Sequence, residues 1–253
     1  MKTGIFITAR LGSTRLQKKH LLPVNGHPIL FFLIRRITAE FQKELASGEI
    51  KVIIVTPDEP ENREFESFQQ DGATVFYGSI NNIPLRHLQA AKSHSLDSII
   101  SIDGDDILCS VRGMRYVHEA LTDGACCYVK TSDLPLGMNS GGYSKAFLET
   151  ALSGRTGDIL ETGWGQIFDE AKLVDIRIPF PVCGDLLRFT LDYREDYQLF
   201  KIIIEAFGDR VITARDEEIV KFVLDNKFDC ITEPIAKKYW ENFSRLQAQE
   251  RKV

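Results

Sequence analysis

Short apolar runs of strand length alternate with segments of helical periodicity, and this alternation limits the possible folds more than any other feature. The first runs are Ile5–Thr8, Val52–Val55, Thr74–Tyr77 and Ser98–Ile102. Each is rich in β-branched or aromatic residues and precedes a segment that is compatible with a helix. Because such alternation is typical of βαβ units, the sequence predicts an α/β fold with a largely parallel sheet.

Local signals place further elements along the chain. Additional strands are predicted at Cys126–Lys130, Asp175–Ile178 and Arg188–Leu191. Helix signals are Pro28 at a first helical position, Asn81 or Asn82 as a cap before Pro84, Ser110 as a cap, acidic Glu195 and Asp196 in the first turn of a helix over 194–207, and Gly208 at its end. The segment 131–144, with three glycines and one proline, is predicted to be a long functional loop, and the polar tail 240–253 a helix.

Composition excludes several classes of protein. The 253 residues are 43% hydrophobic and 26% charged, enough for a sizeable core, and the formal net charge of −5 argues against a surface that binds nucleic acid. The five cysteines lack CxxC spacing, which favours reduced thiols over a zinc site or a disulfide framework. The N-terminal apolar run is too short for a signal sequence or a membrane span, so we expect a soluble cytoplasmic protein. The sequence shows no repeat, no low-complexity linker and no convincing domain boundary, which predicts a single domain over 1–253.

The segment after the first strand is strongly basic for an acidic chain. It holds Arg10, Gly12, Ser13, Arg15 and Lys19. A glycine and small hydroxyl residues let backbone N–H groups approach an anion, and guanidinium and ammonium groups together suit a polyphosphate. The pattern is neither the P-loop nor the dinucleotide-binding fingerprint. A solvated basic loop without a ligand is the alternative.

Acidic residues follow two other predicted strands. Asp103, Asp105 and Asp106 follow the strand at Ser98–Ile102, and Asp192 follows the strand at Arg188–Leu191. Ligands of open α/β sheets bind beyond the carboxyl ends of strands, where carboxylates would repel phosphates unless a divalent cation, most naturally Mg²⁺, lay between them. An acidic turn that caps the next helix is the alternative.

The histidines offer no comparable pattern. Neither His20 in the basic loop nor His27 has a partner carboxylate or a second ligand at metal spacing in the sequence. Surface or capping roles are therefore expected for both.

Four segments in order resemble one family of enzymes. They are ARLGSTRLQKKHL, YGSINNIPLRHLQAAKSHSLDSIISIDGDDIL, DLPLGMNSGGYSKAFLE and RFTLDYREDYQLFKII. They are similar to the motifs of sugar-activating cytidylyltransferases, which include the CMP-ketodeoxyoctulosonate and CMP-acylneuraminate synthetases. In layout the chain is most similar to the spore coat polysaccharide biosynthesis protein F group.

The resemblance implies a fold and an activity. The fold is of the nucleotide-diphospho-sugar transferase type, a three-layer α/β/α arrangement with a mostly parallel mixed sheet. The activity is transfer of CMP from CTP to a sugar, sugar-acid or sugar-phosphate acceptor, with release of pyrophosphate, for surface polysaccharide or glycan biosynthesis. Segment 131–186 would form the acceptor side and could supply the contact of a homodimer.

The resemblance also implies roles for individual residues. The nucleotide would be bound by Arg10, Gly12, Ser13, Arg15, Lys19, Gly78, Ser79 and Arg86. Asp105 and Asp192 would ligate Mg²⁺, and Asn139 and Gly137 would contact the acceptor. Arg10, Lys19 and Asp105 would be the catalytic residues.

Departures from the family pattern lie mainly on the acceptor side. Ile107 replaces a proline after the acidic motif, while Asn139 and Gly141 stand where the family has aspartate and glutamate. A wall without these two anions would suit a more anionic acceptor, such as a carboxylate or a phosphate. Trp164 is interpreted as a residue that covers the core, with a platform for a sugar ring as the alternative.

Two other functions stay open at this point. Phosphate and metal contacts do not choose a base, so UTP or GTP could replace CTP. The departures at Ile107, Asn139 and Gly141 are also compatible with a non-catalytic nucleotide-binding or partner-docking module on the same fold.

Overall fold

The computed structural model describes residues 1–155, 157, 159–180, 187–236, 239–240 and 245. Its strands are β1 (Thr3–Thr8), β2 (Pro23–Val24), β3 (His27–Pro28), β4 (Ile50–Pro57), β5 (Thr74–Gly78), β6 (Ser98–Asp103), β7 (Tyr128–Ser132), β8 (Gly141–Ser144) and β9 (Leu173–Arg177). Its α-helices are α1 (Leu30–Glu40), α2 (Gln42–Ser47), α3 (Ile83–Ser93), α4 (Val111–Thr122), α5 (Lys145–Ala151), α6 (Arg194–Phe207) and α7 (Asp216–Asp225).

Seven of these strands form one sheet in the order β5-β4-β1-β6-β8-β7-β9, and β2 and β3 form a separate hairpin. The first four strands of that order are parallel, and β7 pairs in parallel with β9. Strand β8 is antiparallel to both of its neighbours. The predicted α/β fold with a mostly parallel mixed sheet is therefore confirmed.

The core lies on both faces of the sheet. Along β1, Ile5 and Ile7 join one buried cluster, whereas Phe6 between them joins the other. Helices α1, α4, α6 and α7 contribute to the first cluster, and α3 and α5 contribute to the second. Because a strand directs alternate side chains to opposite faces, a fully apolar run such as β1 requires helices on both sides.

The predicted helix caps and helix ends are largely confirmed. The Asn82 side chain accepts a hydrogen bond from the Leu85 backbone N–H at the start of α3, so Asn82 rather than Asn81 is the cap. Ser110 accepts from the Gly113 N–H at the start of α4. Gly208 ends α6, as predicted. These contacts satisfy backbone donors that have no partner inside the helix.

Three predictions about elements are wrong. Pro28 lies in β3, and α1 begins only at Leu30. Residues 188–191 form no strand, since Arg188 makes only an isolated bridge with Leu136 and its side chain binds nearby carboxylates. Segment 131–144 is not entirely a loop, because its last residues form β8.

The glycines of β8 explain why the sequence predicts a loop at this position. A Cβ atom at Gly142 would lie 2.6 Å from Val117 Cγ1 and 2.8 Å from the carbonyl oxygen of Ile99. Helix α4 thus packs so closely on β8 that only glycine fits, and glycine is a weak strand signal.

The remaining predicted segments differ only in their bounds or lie partly outside the described residues. Strand β7 begins two residues after the predicted Cys126, and β9 begins two residues before the predicted Asp175. Of the predicted tail helix, only Trp240 and Arg245 belong to the described part of the chain. Among the described helices, none combines the length and the apolar character needed to span a bilayer.

The cysteines of the described part are free thiols. Cys109 is buried, Cys126 and Cys127 are half-buried, and Cys230 is exposed. Cys183 lies outside the described residues.

Candidate active site

A cleft of about 550 Å³ opens beyond the carboxyl ends of β1 and β6. These two strands are neighbours, with Thr8 paired to Asp103 at their ends. The chain adds β4 and β5 on one side of β1 and β6 on the other, so the cleft lies at the point where the strand order reverses. The sheet topology therefore creates a crevice at the location where the sequence predicts a ligand.

Most of the predicted site residues line this cleft. They are Arg10, Gly12, Ser13, Arg15, Lys19, Arg86, Asp105 and Asp192. Gly78 and Ser79 are not among its lining residues. The loop after β1, the loop after β6 and the segment before α6 thus converge although they are distant in sequence.

The basic loop is fixed by a residue that the sequence analysis did not identify. Asn62 is fully buried, and its Oδ1 accepts a hydrogen bond of 2.9 Å from the Leu11 backbone N–H. Its Nδ2 donates to the carbonyl oxygen of Pro57, 3.0 Å away, at the end of β4. The loop is therefore held before any ligand binds, and only tertiary contacts reveal the role of Asn62.

The Lys19 ammonium group lies between the two predicted metal ligands, Asp105 and Asp192. Its Nζ lies 2.5 Å from Asp105 Oδ2 and 3.2 Å from Asp192 Oδ1. Burial would lower the pKa of Lys19, but the two carboxylates reverse this effect and the pKa is raised. Burial would likewise raise the pKa of Asp105, yet the Lys19 charge and a hydrogen bond from His20 hold it well below its usual range. Lys19 and Asp105 therefore stay ionised together.

The prediction for His20 is wrong. Its side chain is buried, and its Nε2 lies 3.0 Å from Asp105 Oδ1. His20 therefore helps to orient a site carboxylate. His27 is exposed and stacks on Phe31, with 4.1 Å between the ring centroids.

A second layer of charges orients Asp192. Arg188 donates from Nη2 to Asp192 Oδ2 at 3.0 Å and from Nε to Asp196 Oδ1 at 2.9 Å. Asp196 also accepts hydrogen bonds from the backbone N–H groups of Asp192 and Tyr193. Asp196, predicted as an N-terminal helix charge, thus has this capping role and in addition supports the site.

Arg15 contacts the same carboxylate from the basic loop. Its Nη2 lies 2.5 Å from Asp192 Oδ1. The charges of Arg15 and Lys19 are thus both directed at Asp192 from the cleft side, in the positions where a polyphosphate would compete for them.

The opposite wall of the cleft is formed by residues 161–164, which the sequence analysis did not assign to the nucleotide site. Glu161 binds Arg10 through both carboxylate oxygens, at 3.0 and 2.9 Å. Arg10, which is half-exposed, therefore bridges the two walls at the mouth of the cleft.

Arg86 lies at the base of this region and is almost completely buried. It donates from Nε to the carbonyl oxygen of Ser79 at 2.7 Å and from Nη2 to that of Ile80 at 2.8 Å. Burial lowers the pKa of Arg86 to about 10. Through these contacts Ser79 orients Arg86, and nucleotide contact by Gly78 and Ser79 stays a prediction.

A second cavity of about 330 Å³ adjoins the cleft, and both are lined by Asp103, Gly163 and Trp164. Burial and the neighbouring Asp105 raise the pKa of Asp103 to about 6. Trp164 is half-buried and packs on the aromatic ring of Phe168 at a centroid distance of 5.7 Å. It thus covers the core, as interpreted, and also faces both cavities.

The two predicted acceptor contacts differ in position. Asn139 lines the second cavity, whereas Gly137 is not among its lining residues. Gly137 has a φ of +85°, and a Cβ atom there would lie 2.1 Å from the carbonyl oxygen of Phe189. The structure thus gives Gly137 a backbone role, and acceptor contact by Asn139 stays a prediction.

A buried hydrogen-bonded chain connects the two cavities. His87 Nε2 lies 2.8 Å from Thr8 Oγ1, which belongs to the cleft, and His87 Nδ1 lies 2.5 Å from the Tyr143 hydroxyl, which belongs to the second cavity. Burial and the nearby Arg86 lower the pKa of His87 to about 3, so the ring is neutral. Nothing in the sequence distinguishes His87 from other helical histidines.

Among the described residues, no group of three or more His, Cys, Asp or Glu side chains is arranged to hold a metal ion. Asp105 and Asp192 nevertheless both contact a single ammonium group at the cleft. Two convergent carboxylates fit the usual Mg²⁺ site, in which substrate phosphates and water complete the coordination.

A mostly parallel sheet with a cationic loop and two convergent carboxylates at its switch point defines an α/β domain of the nucleotidyltransferase type. Residues 5–155 match the family model for cytidylyltransferases. The chain belongs to the cytidylyltransferase family. The predicted resemblance to the sugar-activating members and the predicted three-layer fold are confirmed.

Individual relatives cover nearly the whole chain. An uncharacterized protein of Methanocaldococcus jannaschii is 32% identical over 230 residues, which are 89% of this chain and 92% of that protein. The spore coat polysaccharide biosynthesis protein SpsF of Bacillus subtilis is 26% identical over 238 residues, 90% of this chain and 95% of SpsF. A solved cytidylyltransferase from Leptospira borgpetersenii serovar Hardjo-bovis superimposes with a TM-score of 0.75 at 24% identity, covering 90% of this chain and 96% of that one.

Proposed function

We propose that this protein transfers CMP from CTP to a sugar, sugar-acid or sugar-phosphate acceptor and releases pyrophosphate. The observation that carries the proposal is the convergence of Arg10, Arg15 and Lys19 with Asp105 and Asp192 in one cleft at the switch point of the sheet. The cytidylyltransferase family supports CTP as the donor. The name of the Bacillus subtilis relative supports a role in polysaccharide or glycan biosynthesis.

The reaction is a displacement at phosphorus. An oxygen of the acceptor forms a bond to the α-phosphorus of CTP, and the bond from that phosphorus to the oxygen bridging to the β-phosphorus breaks. Pyrophosphate leaves with the electron pair, and the proton of an acceptor hydroxyl passes to solvent. Because negative charge increases on the phosphoryl oxygens and on the leaving group, positioned cations lower the barrier.

The residues of the cleft have matching roles. Lys19 and Arg15 exchange part of their contact with Asp192 for phosphate oxygens. Arg10 exchanges its contact with Glu161 for a phosphate oxygen at the mouth of the cleft. Asp105 and Asp192 would hold Mg²⁺, which when bound supplies positive charge to the phosphates. The Lys19 charge keeps Asp105 ionised, the form in which this carboxylate can act as a ligand.

The direct test is pyrophosphate release by the purified protein with Mg²⁺, each of CTP, UTP, GTP and ATP, and a mixture of sugar acids, sugar phosphates and neutral sugars. We expect release with CTP. Equal or faster release with another nucleotide would contradict the choice of base. If folded protein released no pyrophosphate with any nucleotide, the non-catalytic module would be the better interpretation.

Two adjacent lysines provide a matched test of the triphosphate site. Lys19 is buried between Asp105 and Asp192, whereas Lys18 is exposed and pairs with the exposed Glu64. Lys19→Ala should weaken CTP binding in calorimetry by roughly 100-fold, the size of a lost charge-assisted contact in a site of this kind. Lys18→Ala should leave it within about 2-fold, because a surface ion pair contributes little. Equal effects of the two changes would refute the assignment of Lys19.

A further inference from the structure

The second cavity has walls suited to a sugar ring. Its side chains include the aromatic rings of Tyr128, Tyr143, Trp164 and Phe168, and Gly141 and Gly142 leave its β8 side open. Aromatic rings offer flat apolar faces, and here Trp164 is half-buried whereas the other three rings are buried, so Trp164 provides the accessible face. Because the cavity shares Asp103, Gly163 and Trp164 with the cleft, a ring bound there lies next to the nucleotide site.

Lys130 is the one cationic side chain among the residues that line this cavity. It is exposed, and its Nζ lies 5.2 Å from the centroid of the Tyr128 ring. Within the described part of the chain, no carboxylate lies within ion-pair distance of this ammonium group. Its charge is therefore available to a ligand.

The strand register explains why Lys130 has no carboxylate partner among the described residues. Lys130 on β7 lies directly opposite Gly141 on β8, and Gly141 in turn lies opposite Ser101 on β6. A Cβ atom at Gly141 would be 3.3 Å from Lys130 Cγ, so any side chain there would press on the lysine stem. An acidic side chain at 141 would also form a cross-strand ion pair with Lys130. Glycine at this position leaves the ammonium group unpaired and the stem free.

Groups of opposite charge lie on opposite sides of the cavity. Its carboxyl groups, Asp103 and Asp106, lie at the end of β6 and just after it, whereas Lys130 lies on β7. With β8 between them, the backbones of β6 and β7 are separated by two strand spacings, or about 10 Å. This distance is close to the length of a substituted sugar. A ligand can therefore place an anionic group at Lys130 while its reacting oxygen points to the cleft.

We propose that the acceptor is a sugar that carries an anionic group, a carboxylate or a phosphate, and that Lys130 binds this group. This inference rests on the proposed function, since it identifies the acceptor class of the same enzyme. Lys130 is thus a specificity-determining residue, and Gly141 is the neighbour that leaves its charge unpaired.

The test compares acceptors that differ in charge. Wild-type protein, Lys130→Gln and Lys130→Arg are assayed for CTP-dependent pyrophosphate release with uronates, keto-deoxy sugar acids, hexose phosphates and the corresponding neutral sugars. Binding of the same compounds is measured by saturation-transfer NMR, which needs no turnover. Carboxylate and phosphate compounds form separate arms. Lys172→Gln is the control, because Lys172 is also exposed, also lies over an aromatic ring and lines neither cavity.

We expect Lys130→Gln to lower kcat/KM for the anionic acceptor by roughly 10-fold to 100-fold, mainly through KM, as for a lost hydrogen bond to a charged group. Lys130→Arg should restore part of the loss, and Gly141→Glu should reproduce it by pairing with Lys130. CTP binding and the Lys172→Gln variant should be unchanged. The single arm that responds identifies the anionic group.

Two results would separate this inference from the proposed function. Pyrophosphate release with neutral sugars that is equal in wild type and Lys130→Gln would overturn the inference and leave the enzyme activity intact. If no acceptor supported release, the proposed function would fail. Even then, the NMR binding experiment would test the inference separately. Anionic sugars that bind no better to wild type than to Lys130→Gln would overturn it.

Discussion

At the scale of single residues, neighbours of the same type have different environments. Lys18 and Lys19 are adjacent in sequence, yet Lys18 pairs with exposed Glu64 and Lys19 is buried between two carboxylates. Lys18 has a left-handed backbone conformation, with φ of 47°, and a short helical turn begins at the next residue. The basic loop predicts an anion site, but this local geometry decides which lysine faces it.

The close approach of the backbone to Gly137 can be tested by comparing Gly137 with Gly154. Gly137 and Gly154 both have positive φ, of +85° and +76°, but only Gly137 would place a Cβ atom against backbone, since the space around Gly154 is open. Gly154→Ala should therefore cost about 1 kcal/mol of unfolding free energy from backbone strain alone. Gly137→Ala should cost more than about 3 kcal/mol, because the segment at Phe189 must move.

Urea denaturation of both variants measures this difference. Because Phe189 is three residues before Asp192, Gly137→Ala should also weaken CTP binding, whereas Gly154→Ala should not. Similar stability losses for the two variants would contradict the close approach of the backbones.

At the scale of elements, α3 shows how a cap is chosen. Both Asn81 and Asn82 satisfy the sequence signal before Pro84, but only the Asn82 side chain accepts the Leu85 N–H, at 2.8 Å. Asn82→Ala should lower the free energy of unfolding by roughly 1–2 kcal/mol, and Asn81→Ala, at an exposed position, by less than about 0.5 kcal/mol.

Thermal unfolding of the two variants tests the cap. Asn82→Asp keeps the accepting oxygen but removes the Nδ2 group that donates to the carbonyl oxygen of Arg155 at 3.2 Å. It should therefore recover most of the loss if the cap dominates. An aspartate variant as unstable as the alanine variant would assign the effect to the Arg155 contact instead.

The strand β8 shows the opposite case. Its glycines contradict strand propensity, and the approach of α4 at Gly142 together with antiparallel pairing to β6 and β7 gives the segment its structure. The error at 188–191 has a related cause, because the Arg188 side chain binds the Asp192 and Asp196 carboxylates while its backbone makes only an isolated bridge with Leu136. Propensity fails where long-range contacts determine the backbone.

At the scale of the whole molecule, the buried His87 links stability to pH. Its folded-state pKa of about 3 lies below its ordinary value of 6.5. Between these values the unfolded chain binds a proton at this residue and the folded protein does not. Unfolding therefore takes up a proton, and stability falls as the pH decreases through this window, by at most about 1.4 kcal/mol per pH unit.

The measurement is the free energy of unfolding at pH 7, 6, 5 and 4 for wild type, His87→Gln and Tyr143→Phe. His87→Gln should be less stable than wild type at pH 7 but lose less on acidification, because it lacks the titrating ring. Tyr143→Phe removes one hydrogen-bond partner and keeps the histidine, so it should retain the acid-dependent loss. Parallel curves for wild type and His87→Gln would refute the link.

The sequence alone determined the fold class and most of the nucleotide side of the cleft. The alternation of apolar strands and helices requires helices on both faces of a sheet. A glycine-containing cationic segment after the first strand is a local signal, which can be recognised without knowing the rest of the chain. The loop carrying Arg10, Arg15 and Lys19 and the carboxylates Asp105 and Asp192 were therefore predictable, and the structure brings them together.

The surroundings of these groups depend on tertiary contacts. Asn62, Glu161 and His87 act through partners that are 51, 151 and 79 residues away in sequence. Among the residues that the structure describes, the ammonium group of Lys130 is without an ion pair because a glycine is paired opposite it. No local pattern encodes such contacts, because the partners come together only when strands take their order in the sheet. The physical reason is that sequence periodicity indicates which face of an element is buried, whereas a site depends on which residues of other elements contact that face.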